Sequence, residues 1–162
     1  MQSYQTADIA NNMALITYLV EDSATEWHTF GRRRVFKTRP FQRWMRSTEL
    51  TDEALCRAVR EMAAGLLDAD LGNGVVKKRV ALPGRGKSGG VRTLVATRKA
   101  SVWFFMAGFA KNDRANVTPS ELEALQTLAG SLLGLAPRRL DALVQDGSLQ
   151  EICHDDSTQD AP

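Results

Sequence analysis

The sequence predicts an α+β domain, an antiparallel β-sheet with helices packed on one face, and three observations predict it. Two helical periods follow position 38, three β-rich runs lie between positions 74 and 109, and a strongly capped helix begins at position 118. The resulting order is β-α-α-β-β-β-α with additions at both ends. At 162 residues, 43% of them hydrophobic and 25% charged, the chain suits a single core. Its 12 Gly and 5 Pro are ordinary for a globular chain, which excludes collagen-like and wholly disordered classes.

Residues 1–33 read as an N-terminal extension, because they show no clean amphipathic period; they are a weakly structured arm or the product of a start codon placed too early. The folded domain is expected over 34–152. Val35 to Thr38 reads as a short strand, and Pro40 suits the first turn of a helix with Phe41, Trp44 and Met45 as its buried positions. Thr51 caps a second helix, in which Leu55, Val59, Met62 and Leu66 recur at helical spacing, and which ends before Gly72. Gly74 to Leu82 reads as a strand, and a Gly-rich loop from Pro83 to Gly90 turns the chain. Val91 to Arg98 and Ser101 to Phe109 follow at hairpin spacing, so the three strands predict a meander. Thr118, Pro119 and Glu121 form a helix-starting signature ahead of Leu122, Leu125, Leu128 and Leu132. Pro137 to Gln145 predicts a further short helix, with a brief apolar stretch around Leu149 and Ile152 beyond it, and residues 153–162 are expected to form a disordered tail.

Several function classes drop out on composition. No apolar run approaches the roughly 20 residues that span a bilayer, and no Lys or Arg precedes the longest one, Met13 to Val20, as a signal peptide requires. The expected location is the cytoplasm, with no membrane partner. Cys56 and Cys153 form neither a disulfide framework nor a metal-binding pair by spacing, so no metal and no cofactor are expected. Gly84 to Ser88 misses the phosphate-binding P-loop, since Ala81 stands where the first glycine is needed and a strand follows instead of a helix. The run from Asp68 to Gly74 misses the calcium-loop pattern, with Asn73 at the obligatory glycine, and reads as a helix stop and turn. His28 and His154 lie in the ends, so core chemistry falls to Lys, Arg, backbone, hydroxyl or carboxylate groups.

Charge is distributed unevenly. Residues 1–30 carry four acids and no Lys or Arg, residues 31–116 carry 19 Lys plus Arg against seven acids for a net +12, and residues 117–162 carry two Arg against eight acids. A basic middle of this strength suits a polyanion, because cations that neutralise phosphates release condensed counterions. The informative cluster is Lys77, Lys78, Arg79, Arg85, Lys87, Arg92, Lys111 and Arg114. Strand alternation puts Lys77 and Arg79 on one face and Val76, Val80 and Leu82 on the other, while Lys78 falls on the apolar side and is expected to snorkel at an edge. Such cations suit RNA cleavage in which the substrate supplies its own 2'-OH nucleophile and no metal is required. A Lys crowded by cations can act as base, and Arg can hold phosphate oxygens bidentately.

The residues that carry these features also resemble a known family. Val35-Phe36-Lys37-Thr38, the run Gly65 to Gly72, Lys77 to Ala81, Pro83 to Leu94 and Gly108 to Asn112 resemble RelE/HigB-type toxins of bacterial type II toxin–antitoxin systems, especially a phage-associated branch. The resemblance covers Arg34 to about Leu133 and extends more weakly to Ile152. It implies a microbial-ribonuclease-like fold and an mRNA interferase, an endoribonuclease that cuts messenger RNA in the ribosomal A site, inhibits translation and causes growth arrest. It further implies a cognate antitoxin, expected to be a helix-turn-helix DNA-binding protein. Carried over by position, Lys77 is the candidate base or electrostatic stabiliser, Arg79 and Arg92 are phosphate holders, and Lys111 is a leaving-group or phosphate contact. Lys78, Arg85, Lys87, Asn112 and Arg114 complete the expected RNA- and ribosome-binding set. One departure is clear: some members place a Tyr shortly after the last strand, where this chain has Asn116, Val117 and Thr118. Two other readings stand beside this one, a ParE-like inhibitor of DNA gyrase on the same fold, and a non-catalytic nucleic-acid-binding or decayed phage protein.

Overall fold

The computed structural model describes residues 33–85, 89–98 and 101–154. The expectations placed on residues 1–32, on Lys87 and on residues 155–162 lie outside them. The described chain runs β1 (Arg34–Thr38), α1 (Arg39–Met45), α2 (Asp52–Ala63), β2 (Ala69–Gly72), β3 (Val75–Val80), β4 (Val91–Thr97), β5 (Val102–Ala110), α3 (Pro119–Leu133), α4 (Pro137–Gln145) and β6 (Leu149–Ile152). The α+β class is the one the sequence predicts, and the order of elements agrees with it except for β2, which the sequence reads as a helix stop and turn.

Local chemistry starts the helices where the sequence places them. Thr38 and Thr51 accept hydrogen bonds from the backbone N–H groups of Phe41 and Ala54, which satisfies donors that a helix N-terminus leaves open. At α3 the capping box is complete: Thr118 Oγ1 accepts from Glu121 N at 3.2 Å, and the Glu121 carboxylate accepts from Thr118 N at 2.8 Å. The stretch after α2 differs from the helix stop and turn expected there. Asp70 Oδ1 accepts from Gly72 N, and the chain forms an extra hairpin, β2 against β3, around Asn73.

The strands form one six-stranded sheet in the order β2-β3-β4-β5-β1-β6. The predicted meander is present, since β2 to β5 pair antiparallel in sequence order. The whole sheet is mixed, because β1 inserts between β5 and β6 and runs parallel to β5. Val35 to Thr38 are buried without alternation, and a strand covered on both faces needs a neighbour along each edge.

The expectation that helices pack on one face is corrected. Cross-strand partners share a face, and Lys78, Thr93 and Gly108 are successive partners across β3, β4 and β5. Lys78 reaches Glu61 of α2, and a Cβ on Gly108 would lie 2.2 Å from the Trp44 ring of α1, so α1 and α2 cover this first face. The second face carries Val75, Leu94, Ala96 and Phe104, all fully buried, and is covered by α3 and α4. Here Arg98 Nη2 donates to Leu133 O of α3, and Arg34, whose guanidinium lies over Phe36, donates to Asp141 of α4. The signal for two covered faces is β5 itself, in which every residue from Val102 to Phe109 is buried. An alternating strand would leave one face wet.

The cysteine reading is also corrected. Cys56 of α2 and Cys153 form a disulfide across 97 positions of sequence, with Cα atoms 5.6 Å apart. The bond fixes Cys153, which the sequence assigns to the tail, at the end of β6. Long-range pairing of two cysteines leaves no local pattern to read. Among the described residues, no helix is long and apolar enough to cross a membrane.

Candidate nucleic-acid interface

The site is built by register. Arg79 of β3 pairs with Arg92 of β4, and Arg92 pairs with Phe109 of β5, so the three form a row across the second face of the sheet. Lys77 stands two residues along β3 on the same face, paired with Leu94. Side chains directly opposite in antiparallel strands lie roughly 5 Å apart at Cβ, so Arg79 and Arg92 leave the sheet side by side, with Lys77 one pleat away. The β3–β4 connection also needs Gly90: a Cβ there would sit 2.1 Å from Val80 O.

Each cation is held differently. Arg79 is 44% exposed at its side chain, its Nε donates to Asp68 Oδ1 at 3.0 Å, and its backbone N–H donates to Asp68 Oδ2. Burial pushes the Asp68 carboxyl up, but the two hydrogen bonds from Arg79 and the charges of Arg79 and Lys78 outweigh it and hold the group below its ordinary value. Lys77 Nζ donates to Asn116 Oδ1 at 3.1 Å. Arg92 is half-buried, and its Nη1 is buried with no hydrogen-bond partner. An unsatisfied guanidinium donor beside a second guanidinium is a costly arrangement unless an anion completes it. Lys111 and Asn112 are exposed in the turn that leaves β5 at the end of this row.

Three residues expected in the RNA-binding set have other engagements. Lys78 is only 3% exposed and lies under α2, where its Nζ donates to Glu61 Oε1 at 2.8 Å and to Leu66 O at 2.8 Å. It does not snorkel to an edge, because Glu61 on α2 supplies an internal partner, and it leaves the candidate set. Arg85 is exposed and lies 3.5 Å from Glu49, on the connection between α1 and α2. Arg114 binds Glu121 through both terminal nitrogens and donates from Nε to Asn116 O at 3.1 Å. The hydrogen bonds and charge of Glu121 hold the Arg114 pKa above its usual value despite burial; the Arg114 bond, with the Thr118 bonds, holds the Glu121 carboxyl below its own despite burial.

Sequence reasoning missed Asp68, Asn116 and Glu121, the three groups that position the cations. Only Glu121 carried a signal, as the third residue of the capping box. Phe109 is buried beneath Arg114, so it offers no ring to a ligand. A cavity of about 620 Å³ opens elsewhere, between α2 and β6, with Asp52, Glu53, Arg57 and Arg60 mixing both signs of charge along it. Among the described residues, no group of three or more His, Cys, Asp and Glu is placed to hold a metal ion.

A row of cations of this kind has the chemistry to bind a phosphodiester. Residues 33–152 match the family model described as "RelE toxin of RelE / RelB toxin-antitoxin system". No curated protein matches the chain.

Proposed function

The chain belongs to the RelE toxin family and is the toxin side of a toxin–antitoxin pair, and on that premise we propose that it is an endoribonuclease that cuts messenger RNA on the ribosome. One observation carries the reading: Arg92, which shares a face of the sheet with Arg79 and Lys77, has a buried guanidinium nitrogen with no partner. Cations gathered around one point suit a scissile phosphate, whereas inhibition of a protein target by docking needs no such convergence.

In the proposed reaction the 2'-hydroxyl of the substrate gives up its proton as its oxygen attacks the adjacent phosphorus, the bond from phosphorus to the 5'-oxygen breaks, the 5'-oxygen takes up a proton, and a 2',3'-cyclic phosphate remains. Arg79 and Arg92 hold the non-bridging oxygens, whose charge grows in the transition state. Lys77 acts at the 2'-oxygen as base or electrostatic stabiliser, oriented by Asn116. Lys111 meets the leaving oxygen or the next phosphate, with Asn112 beside it. Asp68 fixes Arg79 by its backbone and Nε, which leaves the two terminal nitrogens for substrate. The partner that silences the toxin is a cognate antitoxin, and the site of action is the ribosomal A site in the cytoplasm.

The test is cleavage of a defined message on programmed ribosomes by purified protein. The wild type is expected to yield a 2',3'-cyclic phosphate end within the A-site codon, and Arg92→Ala to yield none. Intact message with both proteins would sink the reading and favour a gyrase-type or purely binding protein.

A further inference from the structure

Arg114 raises a question that the phosphate-binding row does not answer. A guanidinium has five N–H donors in one plane and no acceptor. Here its end-on fork is filled by Glu121, with Nη1 donating to Oε2 at 2.9 Å and Nη2 to Oε1, and its Nε donates to Asn116 O. Glu121 cannot swing away, because it is only 7% exposed and also accepts from Thr118 N in the capping box of α3. The edge by which Arg normally grips a phosphate is therefore occupied.

The faces of the group are a different matter. The group lies over the Phe109 ring, with Cζ 5.8 Å from the centroid, and Phe109 is itself buried. The side chain keeps 22% of its surface exposed, and a ligand that stacks on the flat of the cation competes with none of the three bonds made by the fork and Nε. Flat guanidinium planes stack on nucleobases as aromatic rings do. The position suits that use. Phe109 is the cross-strand partner of Arg92, so the Arg114 guanidinium, 5.8 Å from the Phe109 centroid, stands beside the row that would hold a phosphate. Asn116 also joins the two parts, accepting Lys77 on its side chain and Arg114 on its backbone.

We propose that Arg114 is a nucleobase-stacking platform: its guanidinium, locked edge-on by Glu121 and backed by Phe109, receives on its outer face a base next to the phosphate held by Arg79 and Arg92. The proposal rests on the ribonuclease reading above and gives the site an element of substrate recognition that needs no aromatic residue after β5. It explains how a chain with Asn116, Val117 and Thr118 in that neighbourhood can still grip a base.

The experiment is a cycle of protein variant against base deletion. Messages carrying a single abasic nucleotide at each position around the cut are presented on programmed ribosomes to the wild type, Arg114→Lys and Glu121→Gln. Arg114→Lys keeps the charge and the reach to Glu121 but loses the plane; Glu121→Gln loosens the bracket and keeps the plane. One abasic position is expected to slow the wild type roughly tenfold, as loss of a stacked base does. That penalty disappears in Arg114→Lys and persists in Glu121→Gln. A penalty that survives in Arg114→Lys, or vanishes equally in both variants, overturns the platform, since the second pattern is what a purely structural bracket gives. So does a wild type that cuts every abasic message at full rate. A wild type that cuts no message at all is a separate result, and it removes the ribonuclease reading together with the platform.

Discussion

Lys77 and Lys78 are consecutive, carry the same side chain, and meet opposite surroundings. Lys78 lies on the first face of the sheet, buried under α2 with Glu61 and the Leu66 carbonyl as partners. Lys77 lies on the second face at the rim of the cationic row, held by one neutral amide. A buried ammonium must be paired, because removing it from water costs several kcal/mol unless a counter-charge and hydrogen bonds replace the water. A rim ammonium keeps its charge available to a ligand. The same side chain is thus paired inside the fold on one side of a strand and left at the rim of the cationic row on the other, and the pleat alone decides which.

The contrast can be broken from either side. The largest effect expected is on catalysis: Lys77→Ala lowers message cleavage at least about 100-fold, the usual range for loss of an acid–base or charge-stabilising group, while thermal unfolding shifts by no more than about 0.5 kcal/mol. Lys78→Ala reverses the pattern. It takes the buried counter-charge away from Glu61 and costs about 2 to 3 kcal/mol in chemical denaturation, and at temperatures where the variant is folded its cleavage stays near the wild-type rate. If both variants lost activity with stability intact, the division between the faces would be wrong.

Arg92 sharpens the comparison further. It stands directly opposite Arg79, and like charges opposite each other in a sheet are destabilising by a few tenths to about 1 kcal/mol. Arg92→Ala is therefore expected to raise the melting temperature slightly while abolishing cleavage, a combination that marks a residue kept for its ligand. Asp68→Asn is a smaller change. It weakens the anchor on the Arg79 Nε and keeps an oxygen for the backbone N–H, so cleavage falls several-fold and the fold persists.

The smallest effect is on acid stability. Asp68 and Glu121 both have carboxyls held below their ordinary values. A depressed carboxyl contributes stability that is fully present above the unfolded-state value, about 4, and that is lost as pH falls through the folded-state value. Denaturant midpoints measured from neutral pH downward should hold until about pH 4 and then fall, less steeply in Asp68→Asn and Glu121→Gln. Identical acid profiles for all three proteins would contradict the assignment of these hydrogen bonds.

Much of the fold is legible in the sequence because strands and caps write local patterns. Thr51 and Thr118 mark helix starts by side-chain chemistry, and alternation from Lys77 to Val80 separates the two faces from residue order alone. What resists reading is set by contacts between distant residues. Lys78 can be placed on the apolar side, but its partner Glu61 is 17 positions away on another element. Asp68 looks like a turn residue because its role is to hold Arg79 across a hairpin. Arg114 looks like a phosphate ligand, yet Glu121 fills its fork. The cover on the second face is announced by the unbroken apolar run of β5, which departs from the alternation that a half-exposed strand would show.

If the second-face cations cut translated RNA, the cuts appear in the transcripts of the cell. The most direct measurement is induced expression of wild type, Lys78→Met and the double variant Lys77→Ala with Arg92→Ala, with the 5' ends of cellular transcripts mapped at nucleotide resolution. New ends are expected inside reading frames, in register with codons, for the first two proteins and none for the third. Growth arrest by the wild type without new RNA ends, or codon-registered cuts that persist in the double variant, would contradict it.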